Sequence, residues 1–416
     1  MPRPDTAPWQ RPRSLIIAAL LALAPLGDSL AAQEAPSSDA SDAKAPDAVS
    51  ADSTKPPPGF EDLWRVADKL WLRLHLMPQL DIIHDFDAIG SQFDFVTSTI
   101  PVDGGTLDEG SEGRTTFSPR ASRISFDGRG LVGDGFVKAF VAFDFFTSGD
   151  IGVQLREAYF ELNGLVGGGD LVVGQTYSTF VDTDALPETL DYEGPTGSIF
   201  IRLPLLRWQR AFDATDLQIS IEQPESDVEG ADGLTGWPDF SAAGRWRGEW
   251  GHVKVALLLR EIRATADSVS ARSQVGAGGS FSGTVQVTRG GDNFVWQASY
   301  GTGIGRYLDD PPSDGFIDPV TGDLETLPVF GGFAGFQHWW LSNLRSTVIF
   351  SPIFVNNPAS RPDDALKSTQ YVAVNLIWSP YAATDFGVEW LWGQRVDEDG
   401  ESGTANRIQF TARYTF

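Results

Sequence analysis

From Leu72 to the last residue, apolar and polar side chains alternate with a period of two, and no long stretch repeats at 3.6. Leu72, Leu74, Leu76, Leu80, Ile82 and Phe86 share one parity, and Arg73, His75, Gln79, Asp81 and Asp85 share the other. Val253, Val255, Leu257 and Leu259 alternate with His252, Lys254 and Arg260. Strand side chains point to opposite faces in turn, so each segment has one apolar and one polar face. A soluble sandwich turns the apolar face inward and a membrane barrel turns it outward. Most segments run about nine to fourteen residues, near the 9–11 that a tilted strand needs to cross a bilayer and beyond the usual 5–6.

The alternation divides the chain into sixteen segments, an even number as a closed antiparallel barrel requires. The connections support the same reading. With both termini on one side, the odd connections, such as 87–115, 177–197 and 304–331, are long. The even ones, such as 212–214, 249–251 and 342, are tight, with 147–151 and 128–135 as exceptions. Short turns on one side and long loops on the other are the habit of bacterial outer-membrane barrels. The expected fold is all-β, a 16-stranded antiparallel transmembrane β-barrel over residues 70–416. Tyr414 and Phe416 end an alternating final strand, a pattern similar to the signal read by the barrel-assembly machinery.

The N-terminus is an address. Arg3, Arg11 and Arg13 precede the apolar run Leu15–Leu26, and Ser29-Leu30-Ala31 supplies small residues, so residues 1–31 read as a cleavable signal peptide. Residues 32–59 are Ala, Ser, Asp and Pro, a composition that cannot bury a core, and read as a disordered periplasmic segment. Phe60, Leu63, Trp64 and Ala67 suggest a short helix over 60–69.

Composition removes other functions. The chain has no Cys, which excludes disulfides and thiolate metal sites. A net charge of −25 argues against nucleic acid as a partner. The four His (His75, His84, His252, His338) have no metal-ligand spacing, and no Gly-x-Ser-x-Gly elbow occurs. Neither a metal, a cofactor nor catalytic residues are expected. An outer-membrane enzyme and a secreted β-sandwich adhesin remain as alternatives.

If the apolar parity faces lipid, the interior is lined by Arg73, Asp81, Asp127, Asp144, Glu157, Arg245, Arg247, Lys254, Arg260, Glu389, Arg395, Arg407 and Arg413, with Arg123 and Lys138. So many charges cannot be desolvated, so the interior is expected to hold water. Acids crowd the outer loops, for example Asp397, Glu398, Asp399 and Glu401, where divalent cations would bridge them to lipopolysaccharide. The connection 177–197 is unusually apolar (Phe180, Leu186, Leu190, Tyr192) and is expected to fold inward and narrow the pore. Its Asp182, Asp184, Glu188 and Asp191 are candidates to face Arg202, Arg207 and Arg210, although strand parity sets Arg202 and Arg207 on opposite faces unless a bulge intervenes near Pro204.

Several segments together carry a family resemblance. They include Gly174-Gln175-Thr176-Tyr177-Ser178 with Thr189 through Pro195, Glu222-Gln223-Pro224-Glu225-Ser226, Gly251-His252-Val253 with Leu258-Leu259-Arg260, and Gln337-His338-Trp339-Trp340. The chain resembles the DcaP-like family of trimeric outer-membrane porins over about residues 70–416. The resemblance implies a homotrimer in the bacterial outer membrane that passes small anionic solutes, including dicarboxylates. It also implies an arginine-lined constriction that includes Arg123, Arg202 and Arg207. Family members often carry an N-terminal coiled-coil extension, and this chain has Pro- and Ala-rich sequence there instead.

Overall fold

The computed structural model describes residues 60–102, 111–133, 135–147, 149–265 and 271–416. The expected signal peptide and the 32–59 segment lie outside the described residues. Among the described residues there are 23 strand segments and three short 3-10 turns, and no α-helix. No helix is long and apolar enough to cross a membrane.

Twenty strands belong to one sheet. Leu70–Met77 pairs antiparallel with Arg123–Val132. From there each long strand pairs with the next: Gly135–Asp144, Gln154–Val166, Gly169–Tyr177, Arg202–Phe212, Thr215–Glu222 and Asp239–Gly248. Gly251–Thr265, Arg272–Gln286, Asn293–Thr302, Pro328–Leu341 and Leu344–Val355 continue the series. Leu366–Tyr381, Thr384–Asp397 and Ser402–Tyr414 end it. Pro78 interrupts the first strand, because proline has no N–H to give a ladder. Beyond it, Gln79–Asp85 pairs on one side with Ser402–Tyr414 and on the other with Thr115–Ser118. The backbone of Phe416 exchanges two hydrogen bonds with Leu76, at 2.7 and 3.0 Å.

The connections alternate. On the side where the chain ends, neighbouring long strands are joined by at most six residues (287–292) and more often by two, as at 167–168, 213–214 and 342–343. Gly133 has φ 57°, a left-handed turn conformation that costs glycine nothing. The expected long connection at 128–135 is therefore a tight turn, because the strands run on through Val132 and resume at Gly135. The other side carries the long segments 178–201 and 303–327, with 86–102 and 111–114.

The short helix expected over 60–69 is instead a hairpin in which Trp64–Ala67 pairs with the start of Leu70–Met77. A ten-residue helix is marginal alone. Phe60 instead packs edge-on to Trp71 and Phe136, with ring centroids 5.0 and 5.5 Å apart, which draws the segment onto the inner face.

The side-chain pattern is the inverse of a soluble globule. In Gly251–Thr265, Val255, Leu257 and Leu259 are more than half exposed, while His252, Lys254 and Arg260 are buried. In the last strand Phe410 is 41% exposed and Arg407 is 0%. Leu257→Arg, in the middle of this apolar stripe, is expected to cost about 2–4 kcal/mol when vesicle-embedded protein is unfolded with denaturant. A cost below about 0.5 kcal/mol, typical of a water-facing site, would contradict a lipid-facing stripe.

Candidate functional site

The inner face is not lined by free charges. Most of the expected lining residues are tied to a partner, and many of those partners are loops. Arg407 donates to Asp85 at 2.5 Å and to the Ser91 carbonyl at 2.8 Å. Arg260 pairs with Asp314 at 2.7 Å and Asp239 at 3.3 Å, with both side chains of each pair fully buried. Arg413 holds Asp385 and Glu188, both at 2.9 Å. Arg395 pairs with Asp397 and donates to the Ser98 carbonyl. Arg245 and Arg247 share Asp216, and Arg73 pairs with Asp62. Asp81 accepts from Thr411, Asp127 from Arg129, and Glu157 from Thr176.

Beside these charges, two apolar clusters lie behind the wall. Ile89, Phe95 and Ile100 pack on Ile349, Tyr371, Ala373, Leu391 and Ala405. Phe180, Val181, Ile199, Tyr307 and Leu308 pack on Leu203, Leu258, Val329 and Ile353. The inserted segments supply the apolar partners that the inner strand positions would otherwise lack. Glycine makes the close approach possible. A Cβ at Gly393 would stand 2.9 Å from Phe95, Thr97 and Ile100, and one at Gly387 would stand 2.7 Å from Leu190.

The segment 178–201 runs along the inner face from strand to strand. Asp182 is hydrogen-bonded to His252 Nε2 at 2.9 Å and accepts from Ser282 at 2.6 Å, and Lys254 donates to the Val181 carbonyl at 2.5 Å. Burial alone would raise the Asp182 pKa, but His252, Lys254 and Ser282 outweigh it and hold it below the ordinary carboxylate value. Asp184 pairs with Arg245. Glu188 takes two bonds from Arg345, at 2.6 Å each, and one from Gln337. The Leu190 and Asp191 amides donate to Glu389 Oε1 at 3.0 and 2.8 Å. Tyr192 donates to Asp144 and accepts from Arg156.

These contacts correct the expected partners of the segment's acids. None of Asp182, Asp184, Glu188 or Asp191 pairs with Arg202, Arg207 or Arg210. The strand Arg202–Phe212 pairs without a register shift, so no bulge at Pro204 brings Arg202 and Arg207 together. They line different cavities, each of about 240 Å³. One holds Arg207, Arg245 and Lys254 with Glu157, Asp182 and Asp216. The other holds Arg202 with Tyr192, Glu193 and Asp309. Lys138 stands behind the first cavity, 5.5 Å from the ring of Tyr159.

Arg123 and Arg202 make no hydrogen bond among the described residues, and Arg207 donates only Nη1, to the Tyr177 carbonyl at 3.1 Å. Arg123 Nε, Arg202 Nη1 and Arg207 Nε are buried without a hydrogen-bond partner. Arg202 lies over the Tyr177 and Phe200 rings, 5.5 Å from each, and Arg123 is within electrostatic reach of Arg156 and Arg202. Arg156 is the residue that sequence parity misses. The register slips between Ala142 and Phe143, which pair with Glu157 and Leu155, so Arg156 is an extra residue turned inward beside Glu157. Arg345, which anchors Glu188, was also absent from the expected set, though its strand carries the same alternation. Among the described residues no group of three His, Asp or Glu is placed to hold a metal ion.

A family model described as DcaP outer membrane protein matches residues 62–416. No curated relative matches the chain. The crystal structure of the outer membrane channel DcaP of Acinetobacter baumannii superposes with a TM-score of 0.73 at 22% identity, covering 84% of this chain and 98% of that one. The trimer form of OmpT, an outer membrane protein of Vibrio cholerae, gives 0.53 at 10% identity over 84% of this chain and 100% of that one. The anion-selective porin from Comamonas acidovorans gives 0.55 at 9% identity over 84% and 100%.

Glu389→Ala removes the acceptor of two loop amides. Hydrogen exchange at Leu190 and Asp191 is expected to quicken by about tenfold or more, the equivalent of one lost charged hydrogen bond. Unchanged exchange would mean that the segment is held by its other contacts alone.

Proposed function

Since the chain belongs to the DcaP outer membrane protein family, outer-membrane porins of the β-barrel kind, we propose that it passes small hydrophilic solutes by passive diffusion and favours anions such as dicarboxylates. The reading is of a sixteen-stranded barrel. Its support is that the segments on either side of Pro78 count as one strand, as do Thr115–Ser118 and Arg123–Val132. The antiparallel pairings then pass from neighbour to neighbour and return to the first strand. Closure of this kind leaves lipid no unpaired strand edge.

The observation that carries the anion preference is that Arg123 and Arg202 have no hydrogen-bond partner and Arg207 has only the Tyr177 carbonyl. Asp182, Asp184 and Glu188 of the 178–201 segment are already paired with His252, Arg245, Arg345 and Arg413. Guanidinium offers a planar fork that suits a carboxylate, and positive charge at a narrow place favours anions. The two cavities flanking the segment are the proposed constriction, with Lys138 at its margin.

The remaining expectations belong to the same reading. The chain forms a homotrimer, as the trimer form of OmpT does. Residues 1–31 export it, Tyr414 and Phe416 present it to the barrel-assembly machinery, and the acidic outer loops bind lipopolysaccharide through divalent cations. Family membership favours this channel over an enzyme or an adhesin, and no catalytic residue or cofactor enters it.

Planar-bilayer recordings across a potassium chloride gradient test the proposal. The reversal potential is expected on the anion side, and Arg123→Ala and Arg202→Ala are each expected to move it toward zero. A cation-selective wild type overturns the anion preference, and unchanged selectivity in both variants removes those arginines from the constriction. Native mass spectrometry in detergent is expected to give three times the protomer mass, and a monomer there would rule out the trimer.

A further inference from the structure

Three inserted segments meet behind the wall, and each brings carboxylates to the meeting. Asp94 comes from 86–102, Asp191 and Glu193 from 178–201, and Asp309 and Asp310 from 303–314. The segments are stitched together there. Asp310 accepts from Thr97 Oγ1 at 2.9 Å, from the Ser98 amide at 2.8 Å and from Ser98 Oγ at 2.5 Å. Asp191 accepts from the Phe95 amide at 3.1 Å. The Asp309 and Asp310 amides donate to Ser198 and Thr196.

The charge does not balance. The cations facing the cluster are Arg202, Arg395 and Arg407. Arg395 is already paired with Asp397, and Arg407 with Asp85. Arg202 alone is left, against five carboxylates and the neighbouring Glu389. Asp309 Oδ2 is buried with no partner, and the hydroxyls of Tyr371, Thr196 and Ser198 are also buried and unpartnered. No three of these acids stand where one metal ion could be ligated. With too few cations and no metal geometry, protons are the neutralising species.

We propose that the three segments form a proton-controlled gate, packed while these five carboxylates hold protons and loosened as they ionise. The inference rests on the porin reading above. Burial raises the pKa of all five, and mutual repulsion adds to it for Asp94, Asp191, Glu193 and Asp309. Asp191 is pushed up to about 8. A raised carboxylate pKa means that the packed arrangement binds protons more tightly than a loosened one. The packing is therefore strongest near and below the ordinary carboxylate pKa of about 4 and is lost as pH climbs toward about 8. The gate closes in acid and opens in alkali.

Single-channel conductance of the full-length protein at pH 5, 7 and 9 tests this. In about 1 M potassium chloride the Debye length is about 3 Å, so simple surface-charge effects are screened. The wild-type conductance is expected to rise about twofold from pH 5 to 9, and Glu193→Gln with Asp309→Asn is expected to remove most of the rise. Should the double variant not insert, Asp309→Asn alone carries the same comparison, with a smaller but measurable flattening. A wild-type channel of constant conductance, or variants as pH-dependent as the wild type, overturns the gate and leaves the porin reading standing. A wild type that forms no channel at any pH overturns both.

Discussion

Charge buried on the inner face of the strand wall has to be answered, and in this protein the chain's own loops answer it. Glu389 receives two amides of the 178–201 segment, Arg345 and Arg413 grip Glu188, Arg260 grips Asp314, and Arg407 reaches the Ser91 carbonyl. An ionised side chain left alone in such a place would cost several kcal/mol. These wall charges therefore act as anchors that help to determine where the inserted segments lie.

The same requirement explains which charges remain for solutes. Loop acids such as Asp182, Asp184 and Glu188 are spent on wall cations, and wall cations such as Arg260 and Arg345 on loop acids. Arg123 and Arg202 remain without a hydrogen-bond partner, and the Asp94, Asp191, Glu193, Asp309 and Asp310 cluster remains short of cations. Both proposals concern these remainders. A strongly acidic chain is compatible with a locally positive path, because net charge counts residues wherever they lie and a solute responds most to the charges near it.

Three departures from the sequence reading share one cause. Arg156 points inward because a one-residue slip opposite Ala142 and Phe143 puts it out of phase with its strand. The 60–69 segment is extended because Phe60 finds a pocket between Trp71 and Phe136. The acids of 178–201 reach Arg345, Arg413 and His252 rather than Arg202 or Arg207, because the segment runs to strands more than 50 residues further along the chain. Each depends on what lies across space from a residue, and period-two alternation carries no such information. Gly387 and Gly393, which admit Leu190 and Phe95, were the visible hint: glycine inside a strand often marks close approach of another backbone.

The sequence by itself determined that the body of the chain is β-structure, which parity of its strands is apolar, and where most of the tight turns fall, and it marked 177–197 as unusually apolar for a loop. These follow from local rules, since a strand's two faces alternate whatever surrounds it. Only the tertiary structure decided which inner charges are anchors and which are free, because that depends on pairings such as Asp191 with Phe95 and Asp310 with Ser98, between residues about 100 and 200 positions apart. A charge's function in a lumen is set by whether it has a partner, and a partner is a fact of three dimensions.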